Sequence, residues 1–135
     1  PHKTEKCGEC RICIDRCPTH AINDNRTIDA SKCISNLTIE NREPIDNALC
    51  EIIENRIFGC DICQEICPRN KKAKPHSHPE LKISKELRTL NLAGWQAMTE
   101  NDFRRIFKNS PVNRKGFERF RKNIDIITGS WRELL

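Results

Sequence analysis

The sequence lacks any long apolar run, and apolar residues are scarce throughout. They make up 36% of the 135 residues, whereas charged residues make up 32%. A chain of this composition buries little apolar surface, so we expect another interaction to help hold the fold together. No apolar run approaches the length that spans a membrane, and we therefore expect no membrane partner.

A secretory leader is also missing from the start of the sequence, which has no basic segment followed by an apolar stretch and a small-residue cleavage site. The cysteine count is nine, and an odd count leaves one thiol over in any disulfide scheme. We therefore expect a cytoplasmic protein whose thiols bind metal. Because the first residue is Pro1 rather than Met, we expect the chain to be part of a longer protein.

The second half of the sequence lacks cysteine altogether, and the charge changes sign at the same place. Residues 1–70 carry 9 Lys and Arg against 12 Asp and Glu, whereas residues 71–135 carry 15 against 7. The polar, proline-containing segment between the halves is typical of a linker. We predict a cluster-binding domain over 1–72, a linker over 73–92 and a basic helical region over 93–135.

The cysteine spacing is the strongest signal in the sequence. The run from Cys7 to Pro18 reads C-x2-C-x2-C-x3-C-P, the pattern that binds [4Fe-4S] clusters in bacterial ferredoxins. Three thiolates at this spacing wrap one cluster, and Cys17, one helical turn further on, points towards a second cluster. Pro18 then ends the turn because it has no N–H to donate.

A second run, C-x2-C-x3-C-P from Cys60 to Pro68, is one cysteine short. Cys33 or Cys50 could supply the missing ligand. We choose Cys33, which follows a predicted short strand and turn, because Cys50 lies in an apolar helical stretch where a lone cysteine is more often a buried hydrophobe. Ligand crossover then predicts Cys7, Cys10, Cys13 and Cys67 for the first cluster and Cys17, Cys33, Cys60 and Cys63 for the second.

This pattern predicts an α+β fold: a bacterial two-[4Fe-4S] ferredoxin-like module followed by a small basic α-helical tail. Structural zinc is the alternative, but zinc does not call for two runs that each end in Cys-Pro. None of the four histidines enters the predicted ligand set. Since thiolates saturate every iron, the clusters are expected to carry electrons, and we assign no catalytic residue.

The tail is expected to form two helices. Thr99 is a predicted N-cap, and Phe103 and Phe107 share one face of the first helix. Ser110 and Pro111 open the second stretch, which Gly129 closes. Clustered cations on this stretch indicate either a solvated face or contact with phosphate.

Four segments resemble epoxyqueuosine reductase: residues 7–22, the block DASKCISNLTIE at 29–40, the block RIFGCDICQEICPRN at 56–70, and the tail through FKNSPVNR at 107–114. The resemblance implies a cytoplasmic, cobalamin-dependent oxidoreductase that reduces epoxyqueuosine in a tRNA anticodon loop, the last step of queuosine biosynthesis. Electrons would reach cobalamin through two [4Fe-4S] clusters. The family's cobalamin-binding catalytic domain would precede this chain, so the chain alone is expected to be inactive.

The resemblance also carries residue assignments. It supports Cys33 as a ligand, and it suggests that Ser35 and Asp61, which lie near ligands of the second cluster, border the cobalamin. The chain departs from the family pattern at three positions: His20 in place of Gly, Asn36 in place of Tyr and Arg69 in place of Trp. The best candidates for tRNA phosphate contact are four cations of the tail: Arg114, Lys115, Arg119 and Lys122.

This interpretation predicts three partners: a tRNA substrate, an upstream cobalamin-binding domain of the same protein, and an external electron donor. It also predicts that the chain is monomeric. A free ferredoxin-type electron carrier with no RNA role is the alternative function, although a simple carrier does not need a basic helical tail. A reductive dehalogenase is a third and weaker option, since it does not account for the tail.

Overall fold

The structure is a computed structural model that describes residues 7–53 and 55–130, so the outer ends of the first and third predicted domains lie outside the described residues. The α-helices within these ranges are α1 Ile12–Asp15, α2 Ile34–Ile39, α3 Asn47–Ile53, α4 Ile62–Glu65, α5 Lys85–Thr89, α6 Leu92–Gln96, α7 Glu100–Ile106 and α8 Phe117–Thr128. Three short 3-10 helices also occur: Asn70–Lys72, Pro79–Leu81 and Pro111–Lys115.

The β part of the predicted α+β fold is not confirmed. Pairing in the described residues is limited to one antiparallel bridge between Ile22 and Ile28. The chain turns directly after Ile28, where the Asp29 carboxylate accepts hydrogen bonds from the backbone N–H and the hydroxyl of Ser31. The predicted strand before Cys33 is therefore too short to pair further, and the described fold is mainly helical.

The cluster half contains an internal repeat, in which residues 61–70 fold like residues 11–20, fifty positions earlier. In the first copy, the N–H groups of Ile14, Asp15, Arg16, Cys17 and His20 donate to backbone carbonyls three or four residues earlier. Residues 64–67 and 70 repeat the same bonds at matching distances. Helices α1 and α4, one from each copy, contact each other. The two cysteine runs therefore fold alike and lie side by side.

The tail has an aromatic core that reaches into the cluster half. Met98, Phe103, Phe107, Phe120 and Ile124 form its buried cluster, against which partly buried Ile57 and Phe58 pack. The rings of Phe103 and Phe120 lie 5.1 Å apart between centroids in a tilted arrangement, which aromatic pairs prefer. Helix α8 also contacts α3. The tail thus lies against the cluster half, and the predicted domain boundaries stay a prediction.

The predicted helix ends of the tail are partly confirmed. Thr99 caps α7 in a capping box with Asp102, and Gly129 ends α8 in the left-handed conformation. The second predicted helical stretch, however, is not continuous. Pro111–Lys115 is a 3-10 helix, and Gly116 at φ 78° and ψ 151° breaks the chain direction before α8 begins. Two of the predicted phosphate contacts therefore lie on the 3-10 helix rather than on α8.

Candidate metal centre

The four cysteines predicted for the first cluster meet at one cavity. Cys7, Cys10, Cys13 and Cys67 all line a cavity of about 530 Å³. The first two lie on a tight turn in which the Cys10 N–H donates to the Cys7 carbonyl at 2.9 Å, and both are exposed. The second run contributes the fourth thiol, as ligand crossover requires.

The mouth of this cavity combines apolar and basic side chains. Ile12 and Pro68 line it together with Arg69 and Lys72. Cations beside a cluster with four thiolates would offset its negative charge, which is one of the factors that set cluster potential. Arg69 is one of the three residues at which the resemblance implies a departure from the family pattern.

The surroundings of Cys17, the fourth cysteine of the first run, favour its thiolate form. Partial burial by itself would raise the pKa of its thiol, but hydrogen bonds outweigh that effect and lower the pKa. The Ala21 N–H donates to the sulfur at 3.3 Å, and the Thr19 hydroxyl lies 3.7 Å from it. Because a metal binds the thiolate rather than the thiol, these contacts favour Cys17 as a ligand.

Three of the four predicted ligands of the second cluster, Cys33, Cys60 and Cys63, interact electrostatically. Burial raises the pKa of the Cys63 thiol, and negative charge on Cys60 and Cys33 raises it further. This effect indicates that Cys33 lies within electrostatic range of Cys63. Cys33 directly precedes α2, so its position is fixed by the helix that follows.

Cys50 has the surroundings of a structural thiol. It lies on α3, is 7% exposed, and its sulfur lies 3.6 Å from the Ile45 carbonyl that accepts its hydrogen bond. Burial, and then the nearby charge of Asp46, raise the pKa of this thiol. Both effects disfavour a thiolate. The geometry therefore favours Cys33 over Cys50 as the eighth ligand.

The donor set fits a polynuclear cluster better than a single ion. Among the described residues, no three His, Cys, Asp or Glu side chains lie close enough together to bind one metal ion. Four thiols around a cavity of about 530 Å³ instead suit a larger group with thiolate ligands.

A buried polar network positions the second cysteine run. Thr38, which is fully buried, accepts a hydrogen bond at its hydroxyl from the Gly59 N–H at 2.9 Å. The amide of Asn123 on α8 donates to the carbonyls of Thr38 at 2.8 Å and Ile57 at 2.7 Å. The tail thereby holds the backbone that enters Cys60. Sequence reasoning missed Asn123, because one polar residue on an amphipathic helix gives no periodic signal.

The other two departures have local explanations. His20 adopts φ 50°, a left-handed conformation that favours glycine, the residue that the resemblance implies there. The Asn36 amide donates to the Ala30 carbonyl at 3.0 Å, so this side chain is used within the turn before α2. The His20 N–H also donates to the carbonyl of Cys17 at 3.1 Å, so His20 adjoins a predicted ligand through its backbone.

The residues predicted to border cobalamin make local backbone contacts. Ser35 lies in α2, where its carbonyl lies 3.4 Å from the Thr38 hydroxyl. Asp61 precedes α4, and its carbonyl accepts from Gln64 and Glu65 at 2.8 Å. These contacts do not test a cobalamin role, which stays a prediction.

The four predicted phosphate contacts differ in exposure. Arg114 is exposed and pairs with Glu40, Lys115 is 5% exposed, Arg119 is half-buried and Lys122 is exposed. A fifth cation, Arg42, shares cavity walls with them. Sequence reasoning missed Arg42, because it lies in the half of the chain where acidic residues outnumber basic ones.

Comparison with known protein families points to a cluster-binding domain. Residues 6–70, which contain both cysteine runs, match the family model of a 4Fe-4S double cluster binding domain. No helix within the described residues is long and apolar enough to cross a membrane.

Longer matches identify particular relatives. The chain is 41% identical to an epoxyqueuosine reductase of Cyclobacterium marinum over 94% of this chain and 40% of that protein. It is 44% identical to one from Alicycliphilus denitrificans over 94% of this chain and 35% of that protein. The resemblance to epoxyqueuosine reductase is thereby confirmed. The chain spans about two-fifths or less of the length of these curated relatives.

Solved structures agree with this result. The epoxyqueuosine reductase of Bacillus subtilis superposes with a TM-score of 0.84 at 29% identity, over 97% of this chain and 35% of that one. An epoxyqueuosine reductase solved with an epoxyqueuosine-modified tRNA stem loop gives the same TM-score and identity, over 96% of this chain and 34% of that one. The match therefore includes the tail as well as the cluster half.

Proposed function

We propose that this chain is the electron-transfer portion of a cobalamin-dependent epoxyqueuosine reductase that acts on tRNA. One observation carries the proposal: thiols from both cysteine runs line a single cavity, in a chain that resembles these reductases over more than nine-tenths of its length. A free electron carrier would explain the first half of this observation but not the similarity of the tail.

The cysteines hold and orient the electron carriers. Cys7, Cys10, Cys13 and Cys67 would bind the first cluster, and Cys17, Cys33, Cys60 and Cys63 the second. When bound, [4Fe-4S] clusters supply one-electron transfer at a potential set by charge, exposure and hydrogen bonds to sulfur. The chain provides such a hydrogen bond at Cys17 and cations at the first cavity.

The rest of the proposed protein would supply the chemistry and most substrate recognition. An upstream domain would bind cobalamin, with Ser35 and Asp61 at its border, and an external donor would supply electrons. In this proposal residues 1–72 carry the clusters, 73–92 link, and 93–135 form the basic region that contacts tRNA. The protein would be a cytoplasmic monomer.

Metal analysis of the isolated chain tests the cluster assignment. After anaerobic reconstitution we expect about eight irons per chain in two cubanes, because the eight assigned thiolates bind two clusters. Iron near four per chain, or zinc in its place, would contradict the assignment.

The function itself is tested in the longer protein that contains this chain. Cys10→Ala and Cys60→Ala should each abolish reduction of epoxyqueuosine in tRNA, since each removes a ligand of one cluster. Cys50→Ala is the matched control and should retain activity. Full reduction by both ligand variants would show that the clusters do not deliver the electrons.

A further inference from the structure

A cleft between the cluster half and the tail contains a buried cation, Lys115, to which the described residues offer no hydrogen bond. Lys115, at the end of the 3-10 helix Pro111–Lys115, is only 5% exposed. Within residues 7–53 and 55–130 its side chain forms no hydrogen bond or ion pair. Burial, and then the positive charge of Arg119, lower the pKa of this lysine. The negative charge of Glu40 offsets this lowering only in part, so an additional anion beside the ammonium would be favourable.

The Lys115 side chain faces the cavities of the cleft. Lys115 lines two cavities, of about 240 Å³ and 60 Å³, and Arg42 and Arg119 line both as well. No fully enclosed side-chain nitrogen or oxygen in the described part of the chain lacks a hydrogen-bond partner. The unpaired ammonium must therefore reach solvent through these cavities. Since a water molecule takes about 30 Å³ of liquid, the larger cavity has room for a tetrahedral oxyanion.

Cations from both halves of the chain converge on the cleft. Arg42 follows α2, whereas Arg119 and Lys122 lie on α8, and none of these three side chains has an ion pair within the described ranges. Two carboxylates also line the cleft, Glu40 in the larger cavity and Glu43 in the smaller one.

The carboxylates do not neutralise the cleft. Glu40 is already paired with Arg114, and Glu43 is exposed. Counted together, five cations face two carboxylates, so the cleft keeps a positive balance. An arginine can donate two parallel hydrogen bonds to a phosphate, while a lysine acts as a point charge.

We propose that this cleft binds one phosphate group of an RNA strand, with Lys115, Arg42 and Arg119 as its donors. The inference rests on the proposed function and deepens it, because it fixes where one substrate phosphate would lie. RNA is favoured over a free phosphate compound because Arg114 and Lys122 extend the positive charge beyond the space of one phosphate. Such a contact positions the substrate without reading its sequence.

Binding of a tRNA anticodon stem-loop to the reconstituted chain tests the proposal. Lys115→Met keeps the buried stem but removes the charge, so the Kd should rise about tenfold or more, as expected for loss of a charged hydrogen bond. Lys85→Met is the matched control, because Lys85 is exposed on α5 and lines neither cavity. It should leave the Kd within about twofold, since it removes at most one surface contact.

Glu40→Gln should act in the opposite direction. It removes a negative charge from the cleft and releases Arg114, so binding of the stem-loop should tighten severalfold. The ion pair that it breaks is exposed, with 70% and 58% of the two side chains accessible, and such pairs add little to stability. Tighter binding at an unchanged melting temperature would separate a direct charge effect from a change in folding.

A second pair of variants covers the case in which Lys115→Met fails to fold. Arg42 is exposed, so Arg42→Gln should fold and should weaken binding of the stem-loop severalfold. Arg88→Gln, an exposed position on α5, is its control and should bind like the wild-type chain.

Inorganic phosphate distinguishes the sources of the ligand. We expect phosphate to compete with the stem-loop on the wild-type chain but not on the folded cleft variant, Lys115→Met or Arg42→Gln. Phosphate binding that depends on this cleft, with stem-loop affinity unchanged in the variants, would overturn the RNA assignment. Equal affinities for each cleft variant and its control would overturn the site. So would a wild-type chain that holds both clusters and does not bind the stem-loop, a result that leaves the electron-transfer proposal intact.

Discussion

At the scale of single residues, the two cysteines outside the paired runs have opposite surroundings. Cys33 is near enough to Cys63 to raise the pKa of its thiol, whereas Cys50 is buried and bonded to a backbone carbonyl. The sequence predicted this difference, because an apolar helical pattern surrounds Cys50 and a turn precedes Cys33. It could not supply the proximity of Cys33 to Cys63, which depends on contacts across thirty residues.

Cys33→Ala should reduce the iron content to about half, because one of the two clusters loses a ligand. Cys50→Ala should keep both clusters, since it removes only a small buried thiol. Iron and sulfide analysis after anaerobic reconstitution, with electron paramagnetic resonance of the reduced protein, compares the two variants. The reverse pattern would exchange the roles of the two cysteines.

At the scale of elements, two glycines of the tail share the same φ but differ in which other residues could adopt their backbone conformation. Gly116 and Gly129 both lie at φ 78°, with ψ at 151° and −1° respectively. The Gly129 conformation is the left-handed cap that asparagine tolerates, and the sequence predicted it from the end of the apolar stripe. The Gly116 conformation is open almost only to glycine. Sequence periodicity did not predict this break, because the apolar stripe begins only at Phe117 and gives no signal before Gly116.

Gly116→Asn should lower the free energy of unfolding by about 1–3 kcal/mol, the usual cost of a backbone conformation of this kind. Apart from its chain neighbours, no described atom lies within 4 Å of the place that a Cβ would take at residue 116. The loss would therefore come from backbone strain and not from a clash. Gly129→Asn is the control and should lose much less. Thermal unfolding of both reconstituted variants makes the comparison, and equal losses would show that ψ does not matter here.

At the scale of the whole molecule, the cysteine spacing was enough to predict that Cys67 joins the first run at one cavity, because ligand geometry fixes a short loop locally. It was not enough to predict how the tail lies on the cluster half. That arrangement depends on Ile57 and Phe58 packing into the tail's aromatic core and on hydrogen bonds from Asn123 to residues 66 and 85 positions away. Contacts between residues so far apart in the sequence cannot be predicted from local hydrophobic periodicity.

Asn123 therefore offers a test of whether the tail stabilises cluster binding. The residue is 3% exposed, and Asn123→Ala would leave the carbonyls of Thr38 and Ile57 without their donor. Each unsatisfied buried group costs about 1–3 kcal/mol, so we expect a clear loss of stability. The effect should pass through Thr38, which holds the Gly59 N–H directly before Cys60, to the second cluster. None of the described residues of this hydrogen-bond network lines the cavity of the first cluster.

Asn123→Ala should consequently release the second cluster faster than the first when a chelator is added to the reconstituted chain. Absorbance traces at the cluster band, with iron counts at intermediate times, would show one fast and one slow phase. Asn113→Ala is the matched control, because Asn113 is exposed and lies in the same tail. If both variants release iron in a single phase at the wild-type rate, the tail does not support the clusters. The basic region would then serve substrate contact alone.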